Sequence, residues 1–183
     1  MKRRTFIQIT FTFFTIQYLC PQATNAKESI LLEIDKKAPF FNLPGTSISE
    51  PERNYWDLNS FIGSWLVLYF YPSDFTNGCT LEARSFSEMQ NQFSDSGIKL
   101  VGISADNLLT HKSFCLREKL NFPLLTDNHG EVSKRYNSWN APYSARNTFL
   151  IDPNGNLRLI MKSVKPLRHA QHVYSTLSDL IDQ

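Results

Sequence analysis

The segment "YPSDFTNGCT", residues 71–80, places Pro72, Thr76 and Cys79 at spacings of four and three. A thiol attacks only as its thiolate, and at an ordinary pKa near 8.5 about 3% is ionised at pH 7. The run "NGCTLEAR" puts Cys79 in the first turn of a helix, where free backbone N–H groups and the helix dipole favour negative charge. Gly78 lets backbone approach closely, and Pro72 ends the preceding strand and holds the loop above the thiol. Thr76 carries a hydroxyl one helical turn before Cys79, able to donate to an acceptor beside the sulfur. The chemistry on offer is nucleophilic attack by a single thiolate. Exchange through a Cys-x-x-Cys pair is not, because Thr76 stands where the first cysteine would be. On this stretch alone, a buried structural cysteine at a helix start stays open beside that reading.

A thiol so placed needs a strand behind it and a helix ahead. "WLVLYFY", 65–71, is a nearly continuous apolar run, as a strand buried on both faces requires. From Thr80 the pattern turns helical, with Phe86, Met89 and Phe93 at three- and four-residue spacing. "KKAPFFNL", 36–43, reads as a short first strand, and 44–55 as a polar loop. Residues 98–105 read as the next strand, and 107–120 as a helix with Leu109, Leu116 and Leu120 along one face. A short extended piece at 122–127 and a brief helix at 129–136 follow. A hairpin turns at "PNGN" (153–156), and a closing helix over 166–182 has Pro166 in its first turn. Strands alternating with helices, then a hairpin and a helix, predict a three-layer α/β domain around a mixed central sheet.

The first 26 residues read as an address rather than as structure. "MKRR" is a cationic start, "TFIQITFTFFTIQYL" an apolar segment too short to span a membrane, and "ATNA" supplies small residues before a cut after Ala26. This is a secretory signal of Sec or, from "RRTFI", twin-arginine type. Cys20 lacks the small residues a lipobox needs before it. Removing 26 residues from 183 leaves 157 (27–183), and losing Lys2, Arg3 and Arg4 takes the formal charge from +2 to −1. A near-neutral domain offers no electrostatic case for nucleic acid, and its mature form no membrane segment. The cysteines fall to two, Cys79 and Cys115, which in an exported protein are most simply a pair.

The pattern Pro72-x-x-x-Thr76-x-x-Cys79 resembles the active-site signature of peroxiredoxins. The wider stretch "VLYFYPSDFTNGCTLEA" is most similar to the peroxiredoxin Q (bacterioferritin comigratory protein) branch. The similarity continues through "VGISADN", "HKSFCLREKLNFPLLTD" and "ARNTFLIDPNGNLR", most of the chain after the leader. The resemblance implies a thioredoxin-like fold with added N-terminal elements, and a thiol peroxidase acting on hydrogen peroxide and organic hydroperoxides. It aligns Cys79 with the peroxidatic cysteine, Thr76 with the hydroxyl that contacts peroxide, and Pro72 with the residue shielding the site. It aligns Arg146 with the arginine that stabilises the thiolate and the polarised peroxide. No metal or organic cofactor is implied. Many members carry a second cysteine five residues after the first, where this chain has Arg84. Cys115, on the following helix, resembles the branch's other arrangement, in which a resolving cysteine there forms an intramolecular disulfide with Cys79. The resemblance further implies thioredoxin or a similar dithiol as reductant, and a monomer. Export implies a periplasm, or a thylakoid lumen in a photosynthetic source.

Two other readings stand beside this one. A permanent Cys79–Cys115 disulfide would make a non-enzymatic scaffold, and a one-cysteine peroxidase would leave Cys115 as packing. Thr76 and Arg146 argue against the first. The position of Cys115 beside the Leu109/Leu116/Leu120 stripe leans against the second. His111, His129, His169 and His172 read as solvated, Asp74 and Glu82 as loop and helix-start charges, and Trp139 and Tyr143 as packing.

Overall fold

The computed structural model describes residues 31–182, so the leader expected at 1–26 lies outside the described residues. The apolar run at 65–71 forms β3 (Trp65–Phe70), flanked by β4 (Ile98–Ser104) in parallel and β8 (Asn147–Ile151) antiparallel. With β1 (Asn42–Thr46), β2 (Tyr55–Asp57), β5 (Leu124–Thr126) and β9 (Leu157–Met161), the order across the sheet is β2-β1-β5-β4-β3-β8-β9. The sheet is mixed and lies between two layers, as expected.

Alternation along β3 divides two cores. Val67, Tyr69 and the following Tyr71 face one side, with α1 (Asn77–Glu88), α2 (Gln90–Asp95), α3 (Leu108–Glu118) and α5 (His169–Ile181). Leu66, Leu68 and Phe70 face the other, with α4 (Glu131–Arg135), the short 3₁₀ turn Leu58–Phe61 and the incoming segment around Phe41. At roughly 1.5–3 kcal/mol per fully buried large apolar side chain, β3 secures the frame on which the loop to Cys79 rests.

Several elements differ from expectation. The first strand is not 36–43 but Asn42–Thr46, and Lys37 makes only an isolated bridge to Asn156. Ala38 and Phe41 bury their side chains as irregular backbone, whereas Pro44 and Gly45 hide a real strand behind turn-like residues. Gly45 is required, because a Cβ there would sit 2.8 Å from the Leu124 carbonyl oxygen of the neighbouring strand. The helix after Cys79 breaks at Met89 into α1 and α2, and α5 starts at His169, after Pro166 rather than with it. A small hairpin, β6 (Trp139–Asn140) with β7 (Tyr143–Ser144), includes a cis peptide at Pro142.

The buried face of α3 also differs from expectation. Leu109 and Leu116 are 78% and 60% exposed, and Leu120 lies beyond the helix. The buried face is His111, Phe114, Cys115 and Glu118, whose spacing is equally helical. Two of its members are charged or polar, so a count of apolar residues passes over it. Cys115 therefore lies on the packed face of the helix, not beside it.

Candidate active site

Three elements converge on Cys79. After β3, Tyr71 N–H donates to the Ile103 carbonyl, and the chain turns through Pro72, which is half-buried. Asp106 fixes that turn, accepting from Ser73 Oγ at 2.8 Å and from Asp74 N–H at 2.9 Å. Phe75 takes a positive φ of 61°, an uncommon geometry for a bulky residue, and its ring packs on Phe114 and under the Arg117 guanidinium. The reversal at Phe75 delivers Thr76 as the N-cap of α1. Thr76 Oγ1 accepts from Cys79 N–H at 3.4 Å and donates to the Ser73 carbonyl at 3.1 Å. The hydroxyl is thus set against the Cys79 backbone.

Cys79 is 2% exposed, and its sulfur accepts a hydrogen bond from Arg146 Nη2 at 3.2 Å. Arg146 stands just before β8 and is anchored through its carbonyl, which accepts from Val164 N–H at 3.1 Å. Gly78 packs closely on the segment before α5, since a Cβ there would lie a tight 3.3 Å from Pro166 Cγ, and at an ordinary contact distance of 3.5 Å from Arg146 Nη2. A thiolate here has a guanidinium beside it and the helix start beneath it.

Burial works against the Arg146 charge, but Glu82 and then Cys79 outweigh it, and the guanidinium is held above its ordinary range. Its Nη1 pairs with Glu82 Oε2. Glu82 Oε1 lies 2.7 Å from His169 Nδ1, and His169 Nε2 lies 3.2 Å from Thr148 Oγ1. Glu82 and His169 are 0% and 2% exposed, so His169 is not the solvated histidine expected, and Glu82, expected as a helix-start charge, is buried and paired. His111 is likewise not solvated, and the loop charge Asp74 is its buried partner. His111 Nδ1 lies 2.8 Å from Asp74 Oδ2, both side chains are fully buried, and Tyr71 O–H donates to Asp74 Oδ1 at 2.7 Å. Burial, then Asp74, holds the Tyr71 phenol protonated well above its ordinary range. This pair ties the loop before Cys79 to the helix bearing Cys115.

Glu82 and Asp74 were legible as carboxylates near the thiol. What hid their role is that a buried charge needs a partner from a distant segment, and the partners lie 64, 87 and 37 residues away. No local signal marked His169.

Cys115 is 1% exposed, in the same core as Cys79, and both are free thiols. Burial, with Asp74 adding, pushes the Cys115 thiol up to about 12. It also lines a cleft of about 290 Å³ between α3 and the β1 segment, with Leu109, Lys112 and Leu116. At the other end of the α1–α3 contact, Arg84 and Arg117 both donate to Glu118, at 2.5 and 2.6 Å. Trp139 lies against Gly130 and under Lys134, and Tyr143 is 53% exposed. Among the described residues no three His, Cys, Asp or Glu side chains gather as a metal site needs.

Residues 34–160 match the model of the AhpC/TSA family. Peroxiredoxin Bcp of Xanthomonas campestris is 34% identical over 152 residues, covering 79% of this chain and 93% of that protein. A chloroplastic peroxiredoxin Q of Sedum lineare is 32% identical over 167 residues, covering 87% of each. The crystal structure of a PrxQ mutant from Xylella fastidiosa superposes with a TM-score of 0.74 at 26% identity, over 82% of this chain and 98% of that one.

Proposed function

From the premise that this chain belongs to the AhpC/TSA family and is a peroxiredoxin, a thiol-dependent peroxidase, we propose that Cys79 is the attacking sulfur and Cys115 the resolving one. The observation that carries the first assignment is Arg146 Nη2 at 3.2 Å from Cys79 Sγ, at the first turn of α1. The Cys79 thiolate attacks the terminal oxygen of hydrogen peroxide or an organic hydroperoxide. The O–O bond breaks, the sulfur becomes a sulfenic acid, and the other oxygen leaves as water or alcohol after protonation. Arg146 stays at hydrogen-bond distance while charge moves from sulfur to the leaving oxygen, the requirement for electrostatic stabilisation of such a step. Thr76 fixes the reacting turn and borders the peroxide, and Pro72 shields it from water.

In the second half, the Cys115 thiol loses its proton and attacks the oxidised Cys79 sulfur, releasing hydroxide as water and forming an intramolecular disulfide. A thiol pushed up to about 12 is a poor nucleophile where it rests. Both sulfurs are also buried in ordered helices, Cys79 in the first turn of α1 and Cys115 on the packed face of α3, so these two elements loosen before the sulfurs meet. An external dithiol, thioredoxin or a protein like it, returns both cysteines to thiols. We place this cycle in a monomer, because an intramolecular cysteine pair needs no second chain, and outside the cytosol, in a periplasm or thylakoid lumen, on the strength of the leader at 1–26.

One observation favours a one-cysteine peroxidase instead: Cys115 belongs to the packed face of α3. Steady-state turnover separates the two. With a dithiol reductant, Cys79→Ser is inactive in both schemes. Cys115→Ser consumes about one equivalent of peroxide and stalls if Cys115 resolves, and turns over as wild type with the same dithiol if it does not.

A further inference from the structure

The chain of contacts does not end at Arg146. Glu82 gives one carboxylate oxygen to Arg146 Nη1 and the other to His169 Nδ1, at 2.7 Å. His169 in turn meets Thr148 Oγ1 through Nε2 at 3.2 Å, and its ring stands edge-on to Phe86 at 5.2 Å. The three members come from α1, β8 and the first residue of α5, and all are buried. The segment before α5 is registered on the same arginine, with Val164 N–H on the Arg146 carbonyl and Pro166 against Gly78.

This arrangement divides the guanidinium fork. Nη1 serves Glu82 and Nη2 serves the Cys79 sulfur. An arginine facing a carboxylate prefers the two-fold, side-on pairing in which both nitrogens meet both oxygens. Here the second oxygen is engaged by His169, so Nη2 stays with sulfur. Without that donor, a buried oxygen is left unpaired, which is costly. The remedy within reach is to claim Nη2.

We propose, resting on the reading of Cys79 as the attacking sulfur, that His169 is a positioning residue for peroxide reduction. By holding Glu82 Oε1 it keeps one arm of Arg146 free for the reacting sulfur.

The test compares amide replacements with different reach in the reduced full chain. His169→Asn puts an amide nitrogen close to where Nδ1 is, and His169→Gln puts one close to Nε2. His169→Leu removes both. The measurement is the single-turnover rate of Cys79 loss with hydrogen peroxide, read by mass after alkylation, beside the urea midpoint of each variant. The Leu and Gln variants are expected to slow by about tenfold or more, the loss of one charge-assisted hydrogen bond at the reacting group. The Asn variant is expected within about threefold of wild type, because the bond to Glu82 is kept. In an Arg146→Lys background, His169→Gln is expected to slow the reaction by less than about twofold, since the contact it protects is already gone.

Gln and Asn variants that react alike, or a His169→Gln effect undiminished beside Lys at 146, would overturn the role whatever their stabilities. These outcomes leave the reading of Cys79 intact. A wild-type protein whose Cys79 does not react with peroxide takes both down.

Discussion

Arg146 and Cys79 meet through one hydrogen bond of 3.2 Å across 67 residues of sequence. The bond is made by the outer arm of a fork whose inner arm is fixed to Glu82. The sulfur is thus reached by a cation whose direction is set before any peroxide arrives.

That geometry predicts the outcome of Arg146→Lys. The charge is retained, but an ammonium cannot serve Glu82 and the sulfur in two fixed directions. Cys79 oxidation by hydrogen peroxide is expected to slow by about 10²-fold, the size seen when one preorganised donor is lost. Competition against a peroxidase of known rate measures it, and a rate within twofold of wild type contradicts the role.

Thr76 caps the first turn of α1, and one pair of substitutions tests whether stability and rate both depend on that cap. Thr76→Val removes the cap on Cys79 N–H and is expected to cost about 1 kcal/mol in urea unfolding as well as peroxidase rate. Thr76→Ser keeps the oxygen and is expected to restore both. If Val and Ser variants are equally stable, the cap is not what holds the first turn.

The pair of Asp74 and His111 fastens the loop before Cys79 to α3. His111→Leu leaves a buried carboxylate with the Tyr71 hydroxyl and no imidazole. The expected loss is about 3 kcal/mol, the order found when one partner of a buried pair is removed. Chemical denaturation of the reduced protein reads it directly, and a change within 0.5 kcal/mol of zero, ordinary for a surface site, contradicts the assignment.

How much of this was legible follows from how local each feature is. Thr76, Gly78 and Cys79 are neighbours in sequence, so the helix start and its thiol could be read directly. Arg146 is marked only by resemblance, because nothing near "SARNTF" says which strand end faces the thiol. The three-layer domain is legible from the apolar run of β3, which needs cover on both faces. Strand β1 is not, since Pro44 and Gly45 read as a turn. Charged residues misled most. Glu82, His169, Asp74 and His111 look like surface groups one at a time, and only the folded chain shows each to be the other's partner.

Cys115 gives a pH prediction whose sign is fixed. Burial raises its folded pKa to about 12, above the unfolded thiol near 8.5. The stabilisation linked to this group is complete below pH 8.5 and is lost as pH rises towards 12, because the unfolded chain releases its proton first. Replacing Cys115 by Ala should flatten the fall in stability across that window. Equal slopes for both proteins, from denaturation at pH 8 to 11, would remove the buried-thiol argument for a conformational step.

The most direct measurement adds one equivalent of hydrogen peroxide to the fully reduced protein and counts thiols, with peptide mapping of any disulfide. Two thiols are expected to disappear together, with Cys79 and Cys115 joined within one chain. One thiol is expected to be lost in Cys115→Ser and none in Cys79→Ser. Loss of a single thiol in wild type, with Cys115 still free, contradicts the two-cysteine cycle, and reaction of Cys79→Ser at the wild-type rate contradicts the site itself.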